Sequence, residues 1–235
     1  MRLVLVVAAL AGLSACQAPD SDEQDTAALN GVWRGVVSDA QQHESLQAHV
    51  LDGLMLAVSH DGKRAHSGEL RLENGRLQGL YAARDEFGAR DRDYQLRGQA
   101  RSGDSIEADL YGKREDAALS LFYNADQSYQ HASHAQIAGL YYLDSAALKI
   151  SLSVDEDGWI EGYDDAGCAY FGHVAVPQAG RNVYAVSMEV EGCALAGDFA
   201  FGLGSLREAG GWPQLVLPVW FDEHDRVEPW VLERV

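Results

Sequence analysis

Residues 148–154, LKISLSV, put an apolar side chain at every second position, and residues 184–190, YAVSMEV, do the same. A period of two is the signature of a half-buried β-strand, whereas a helix would repeat its apolar face every 3.6 residues. Looser runs of this kind occur at 31–37, 54–59, 68–72, 76–82, 94–100, 106–111, 119–123, 197–204, 214–220 and 227–232. Asp61-Gly62, Asn74-Gly75, Ser102-Gly103-Asp104, Asp157-Gly158 and Gly210-Gly211 punctuate them as turns. Many short strands at spacings of about ten residues predict an all-β chain of antiparallel sandwiches or small barrels. Helix is scarce: the best candidate is 39–51, capped by Ser38 or Asp39 and carrying Leu46 and Val50, with a shorter turn near 133–138.

The pattern reads as if built twice. Gly31-Val32-Trp33 opens one half and Gly139-Leu140-Tyr141 the other. LMLAVSHDGKRAHSG (54–68) can be laid on LKISLSVDEDGWIEG (148–162), residues 94–113 on 184–204, and ALSLFY (118–123) on QLVLPVW (214–220). Identity is low, so either an internal duplication or generic β patterning accounts for it. The expected organisation is two tandem antiparallel β modules, 30–125 and 139–235. A polar linker, 126–138, would join them.

The chain has three cysteines. Cys168 and Cys193 flank two strand-like runs, CAYFGHVAVP and NVYAVSMEVEGC. A hairpin centred between Gly180 and Arg181 would set Phe171 opposite Val190, Ala175 opposite Val186 and Cys168 opposite Cys193, so a structural disulfide is expected. Free thiols are the competing reading. A redox pair usually sits as Cys-x-x-Cys, which this is not.

The third cysteine, Cys16, ends MRLVLVVAALAGLSAC, which has one positive charge at Arg2 and an apolar run from Leu3 to Leu13. That run is short for a bilayer span and has the layout of an export signal. Leu13-Ser14-Ala15-Cys16 resembles the lipobox of bacterial lipoproteins. The resemblance implies a signal peptide over 1–15, removed before Cys16, and lipidation of Cys16 as the membrane anchor. Gln17 stands where an inner-membrane retention signal would have Asp, so the outer membrane, facing the periplasm, is the expected address. Residues 16–29 read as a flexible acidic tether. The order Gly167-Cys168, Phe171-Gly172, Asn182-Val183-Tyr184, Gly192-Cys193 is also similar to that of uncharacterised lipoproteins of Gram-negative bacteria.

Composition narrows the function classes. Among 235 residues, 36 are acidic and 18 basic, a formal charge of −18, and removing Arg2 with the signal makes it −19. Such a surface is a poor partner for nucleic acid, whose phosphates are bound by Lys and Arg. With 47% hydrophobic and 23% charged residues the chain is globular rather than a disordered acidic tail.

Constellations for chemistry are weak. Ser153 to Asp164 spaces its oxygens somewhat like a calcium loop. Ser replaces the first Asp, a shorter Asp replaces the bidentate Glu, and strands flank the loop, so a plain hairpin turn is favoured. His131 and His134, and the set His43, His49, His60 and His66, do not make a zinc pattern, and no metal site is expected. Gly202-Leu203-Gly204-Ser205 is the nearest thing to a nucleophile elbow and lacks its flanking glycine. No phosphate loop or dinucleotide fingerprint occurs, so no cofactor and no catalytic residue is expected. Trp212, Trp220, Phe221 and Trp230, interleaved with Pro213, Pro218 and Pro229, read first as core and barrel-closing aromatics and second as an exposed binding surface. The expected role is a non-enzymatic, membrane-anchored accessory or inhibitor module that binds a basic envelope protein. A lipocalin-like carrier of a small apolar ligand is the alternative.

Overall fold

The computed structural model describes residues 25–85, 87–145 and 148–235, and Cys16 with its lipobox lies outside the described residues. Sixteen antiparallel strands form two closed eight-stranded barrels in tandem. The first contains β1 (Gly31–Ser38), β2 (His43–Leu51), β3 (Leu54–Ser59), β4 (Ala65–Glu73), β5 (Arg76–Arg84), β6 (Arg90–Arg101), β7 (Ser105–Gly112) and β8 (Ala117–Tyr123). The second contains β9 (Gly139–Asp144), β10 (Lys149–Val154), β11 (Trp159–Asp164), β12 (Ala169–Ala175), β13 (Tyr184–Glu191), β14 (Phe199–Ala209), β15 (Trp212–Phe221) and β16 (Arg226–Arg234). Each barrel runs up and down in sequence order and closes by pairing its last strand with its first.

The alternation in the sequence becomes the inside and outside of these barrels. On β10, Ile150, Leu152 and Val154 are buried while Lys149 and Ser153 face out. Three connections are two-residue turns with both residues at positive φ: Asp52-Gly53, Asn74-Gly75 and Gly210-Gly211. That is the type I′ geometry whose twist suits adjoining strands. Closing so small a barrel also needs tightly coiled strands. At Gly79 an added Cβ would lie 1.8 Å from the Glu69 carbonyl oxygen, so only glycine allows β5 to approach β4 as it does.

The segment before each barrel plugs one end. Trp33 Nε1 donates to the Leu29 carbonyl at 2.9 Å, and the Tyr141 hydroxyl donates to the Ile137 carbonyl at 2.6 Å. Leu29 and Ile137 are both fully buried. This shared device matches the sequence correspondence of Gly31-Val32-Trp33 with Gly139-Leu140-Tyr141. By strand order, however, the later segments of the apparent repeat fall one strand out of step: 54–59 is the third strand of its barrel and 149–154 the second of its own. The tether also ends sooner than expected. Thr26 Oγ1 accepts from Leu72 N, Asp25 accepts from Asn74 N, and the chain packs on the first barrel from residue 25.

Two further expectations are corrected. Residues 43–51 are strand β2 rather than a helix, paired on both sides. Leu46, Ala48 and Val50 point inward, while Gln47 and His49 point outward into the contact with the second barrel, so 46–50 alternate as a strand, and the four-residue spacing of Leu46 and Val50 fits a strand face as well as a helix face. Asp39 does cap, but it caps a turn, accepting from Gln41 N and Gln42 N. In the second barrel, β12 and β13 pair one residue out of the expected register: Phe171 faces Glu189 rather than Val190, and Ala175 faces Ala185. A one-residue slip turns every side chain to the other face, so Phe171 lies outside and Tyr170 inside. The connection over 176–183 is longer than a tight turn because Asn182 is buried there, bonded to both N and O of Leu206.

The linker forms two single turns, α1 (Ala125–Ser128), capped by Asn124, and α2 (His134–Ile137), capped by Ser133. The barrels pack side by side through Leu56 and Ala65 of the first and Leu203 and Val227 of the second, with Phe201 and Trp220 at the margin. Val227 N donates to the Gly88 carbonyl, so a loop of the first barrel adds main-chain bonding to this seam.

Candidate functional site

The interiors of both barrels are filled. Twenty-one buried apolar residues form one continuous cluster in the second barrel, among them Tyr141, Tyr170, Met188 and Trp230. At the polar end of the first barrel a Tyr–His–Glu line has the outline of a catalytic relay and no more: Tyr81 OH lies 2.8 Å from His66 Nδ1, and His66 Nε2 lies 3.3 Å from Glu44 Oε2 without hydrogen-bond geometry. Burial lowers the His66 pKa against the pull of Glu44, and burial raises that of Tyr81. The space left among them is about 20 Å³, room for one water and no substrate. These groups hold the barrel end together, aided by Arg92, which bonds Asp39 at 3.0 Å and also reaches Glu115.

Ser205, from the motif nearest a nucleophile elbow, meets a histidine, but in the seam between the barrels. His49 Nε2 lies 2.8 Å from Ser205 Oγ, which also accepts from Gln127 Nε2 and Gln47 Nε2. Both residues are fully buried, and no carboxylate among the described residues orients the ring. Burial, helped by the nearby charge of Arg207, lowers the His49 pKa to about 3. The pair is therefore a neutral tie between barrels, and it makes stability depend on pH. The unfolded chain takes up a proton below about pH 6.5 that folded His49 refuses, so stability falls as pH drops through that value. From pH 7 to pH 5 this amounts to about 2 kcal/mol. His66 acts in the same direction, while Glu228, whose pKa burial raises, acts in the opposite one just above pH 4.5. In urea unfolding at pH 7 and pH 5, His49→Gln should remove about 2 kcal/mol of the pH difference; an unchanged difference would sink this account of the seam.

A substantial concavity lies outside, on the second barrel. It is a groove of about 550 Å³ over the outer faces of β11 to β14, walled by Trp159, Phe171 and Phe199 and edged by Asp155, Glu161, Glu189 and His173. Strand register builds it. Ser153 faces Glu161, Glu161 faces Phe171, Phe171 faces Glu189 and Glu189 faces Phe199, so one row crosses five strands with acid and aromatic alternating. Cβ atoms of directly opposed residues lie about 5 Å apart, which puts a carboxylate on each side of the Phe171 ring. Gly172 lets the strands draw together here, since a Cβ would lie 2.0 Å from the Ser187 carbonyl oxygen.

Trp159 is 62% exposed yet braced. The His173 ring meets it edge-on at 5.3 Å, and His134 from α2 meets His173 at 5.5 Å. Both imidazoles are themselves fixed, His134 Nε2 on the Val174 carbonyl and His173 Nε2 on that of Asp157. Asp155 accepts from the main-chain N–H of Asp157 and Trp159, which is how the segment read as a weak calcium loop closes as a hairpin turn. Glu161 and Glu189 carry no ion pair or side-chain hydrogen bond among the described residues.

Charge is unevenly shared. Residues 31–123 hold 15 acidic and 12 basic side chains, a balance of −3, whereas residues 139–234 hold 16 and 5, a balance of −11. The excess thus sits on the barrel that carries the groove.

Of the residues singled out in the sequence, Cys168 and Cys193 are bonded, with Cα atoms 4.8 Å apart, at the edge of the β12–β13 hairpin. Trp230 and Phe221 are fully buried, as core aromatics, and Trp212 is exposed. Sequence reasoning alone misses Trp159, Phe171 and Phe199 as a group. They stand far apart in the chain; phase marks two of them, Trp159 sharing the outward parity of Glu161 and Phe171 that of His173, and gives no such signal for Phe199.

Fold and surface together define a double up-and-down β-barrel with filled interiors and an external acidic-aromatic groove. No family model and no curated protein matches the sequence. Among solved structures, a protein of unknown function from the DUF3598 family of Nostoc punctiforme is similar, with 12% identity over 92% of this chain and 100% of that one and a TM-score of 0.28. A score that low says nothing of activity.

Proposed function

We propose that this chain is a non-enzymatic binding module, held at the outer membrane by a lipid on Cys16, whose second barrel docks a basic protein of the envelope as an accessory or inhibitory partner. The observation that carries the reading is the balance of −11 on the barrel bearing the groove, against −3 on its neighbour. A concentrated negative field raises the rate of encounter with a cationic partner and turns it toward the charged side. An acidic body next to anionic lipid is also held away from the bilayer surface, leaving the groove open. The carrier reading has less support, because the interiors are occupied by side chains.

Pull-down with the full chain at low ionic strength tests this. Basic envelope proteins should be retained and released as salt rises toward about 0.5 M, where the screening length falls below about 5 Å. Recovery of no envelope protein, or retention indifferent to salt, would count against it.

A further inference from the structure

We infer that the groove is the site that takes the cation: it receives a lysine or arginine side chain of an extended basic segment, seated on the Phe171 ring between Glu161 and Glu189. This deepens the reading above and rests on it.

Three observations meet at one place. The first is ring faces in the open: Trp159, Phe171 and Phe199 are 62%, 42% and 51% exposed around a single concavity, with Trp159 braced by the edge-on contacts of His173 and His134. Large apolar groups grouped on the surface of a soluble domain mark a contact site. The second is uncompensated charge: three carboxylates line the groove, no Lys or Arg does, and Glu161 and Glu189 are without ion-pair partners among the described residues. The third is their interleaving along one ladder row, which places each glutamate beside a ring rather than apart from it. An aromatic face attracts a cation through its quadrupole, and a flanking carboxylate adds a charge-assisted hydrogen bond. A neutral ligand would use the rings and leave both glutamates without a counter-charge, so charge complementarity selects the cation. The long apolar stem of a lysine or arginine would lie along the rings while its head reaches the carboxylates.

The test is calorimetric titration of the full chain with a capped hexapeptide alternating glycine and lysine. The same peptide with norleucine for lysine and an N-acetylglucosamine oligomer serve as comparisons. The lysine peptide should bind and the norleucine peptide should not. Phe171→Ala and Glu189→Gln should each weaken binding by about tenfold or more, while Phe171→Tyr should stay within about threefold of the parent. Glu69→Gln, an exposed change of equal charge on β4 of the first barrel, should leave affinity nearly unchanged. All these positions are at the surface, and an unchanged melting temperature certifies folding. If the lysine peptide binds but the groove variants weaken no more than Glu69→Gln, the basic-partner reading stands and the groove assignment falls. Absence of any binding of the lysine peptide overturns both. Binding of the glycan that Phe171→Ala abolishes, with none of the peptide, overturns the cation in favour of a sugar.

Discussion

Asp225→Asn is expected to lower the unfolding free energy by about 3 kcal/mol, the low end of what removing one partner of a buried ion pair costs. Its partner Arg84 comes from the first barrel and is wholly buried in the seam. Its guanidinium donates to Asp225 Oδ1 at 3.1 Å, to the Asp225 carbonyl and to Ser67 Oγ at 3.0 Å, and lies 5.8 Å from the centre of the Trp220 ring. Arg90, also from the first barrel, bonds the other carboxylate oxygen at 2.7 Å. Asparagine keeps the size of the side chain and tolerates the φ of +44° at this position, so the change removes charge and little else. What remains is a cation shut away from water, with dipoles and the less close carboxylate of Asp93 around it. The half-exposed position of Asp225 and the surviving contacts to Ser67 keep the cost from being larger. Urea unfolding should show the midpoint fall, and Arg84→Met placed on the same background should recover most of the loss. If the double variant is no more stable than Asp225→Asn alone, the burial of charge is not what the seam depends on.

Loss of the Cys168–Cys193 bond, by serine at both positions, is expected to cost about 3.5 kcal/mol, the entropy of closing a loop of about 26 residues in the unfolded chain. The loop contains β12, β13 and the buried Asn182, so the effect should be local as well as global. Amide hydrogen exchange should speed up across 169–191 before it changes in the first barrel. Because those strands carry Phe171 and Glu189, the groove should loosen with them. A loss of less than about 1 kcal/mol would show that strand pairing already confines this hairpin in the unfolded chain.

Much of the fold is written in period-two alternation and in turn dipeptides. Residues 54–59 and 76–82 fall on β3 and β5, and Asn74-Gly75 and Gly210-Gly211 turn where they should. The helix expected over 39–51 has a local origin: Leu46 and Val50 stand four residues apart, a spacing that fits one face of a strand as well as one face of a helix. The alternation of Leu46, Ala48 and Val50 with Gln47 and His49 is present there, the two polar residues meeting Ser205 across the seam. Asp52-Gly53, flanked by Leu51 and Leu54, joins β2 to β3 as a two-residue turn and reads equally as the stop of a helix over 39–51.

The groove is hidden in the sequence for a different reason. A tight turn at Gly180-Arg181 sets one β12–β13 register, whereas the loop is longer and Asn182 is buried in it. With the register wrong by one residue, Phe171 counts as core. Trp159 and Phe199 then look like isolated surface aromatics, and density along the chain draws attention to the C-terminal tryptophans, of which Trp230 is packed against Tyr170 and Phe221. Linear clustering is a poor guide in a meander of short strands, where neighbours on the sheet lie ten or more residues apart in sequence.

On the proposal above, the outer face of the second barrel is the working surface. Photo-crosslinking in the native envelope tests it most directly, with a photoreactive side chain introduced at Phe199 or, as the comparison, at Phe122, which is 58% exposed on the first barrel. Position 199 should capture an envelope protein at a lysine- or arginine-bearing segment, and position 122 should not. Equal capture of that protein from both positions, or capture from 122 alone, would contradict it.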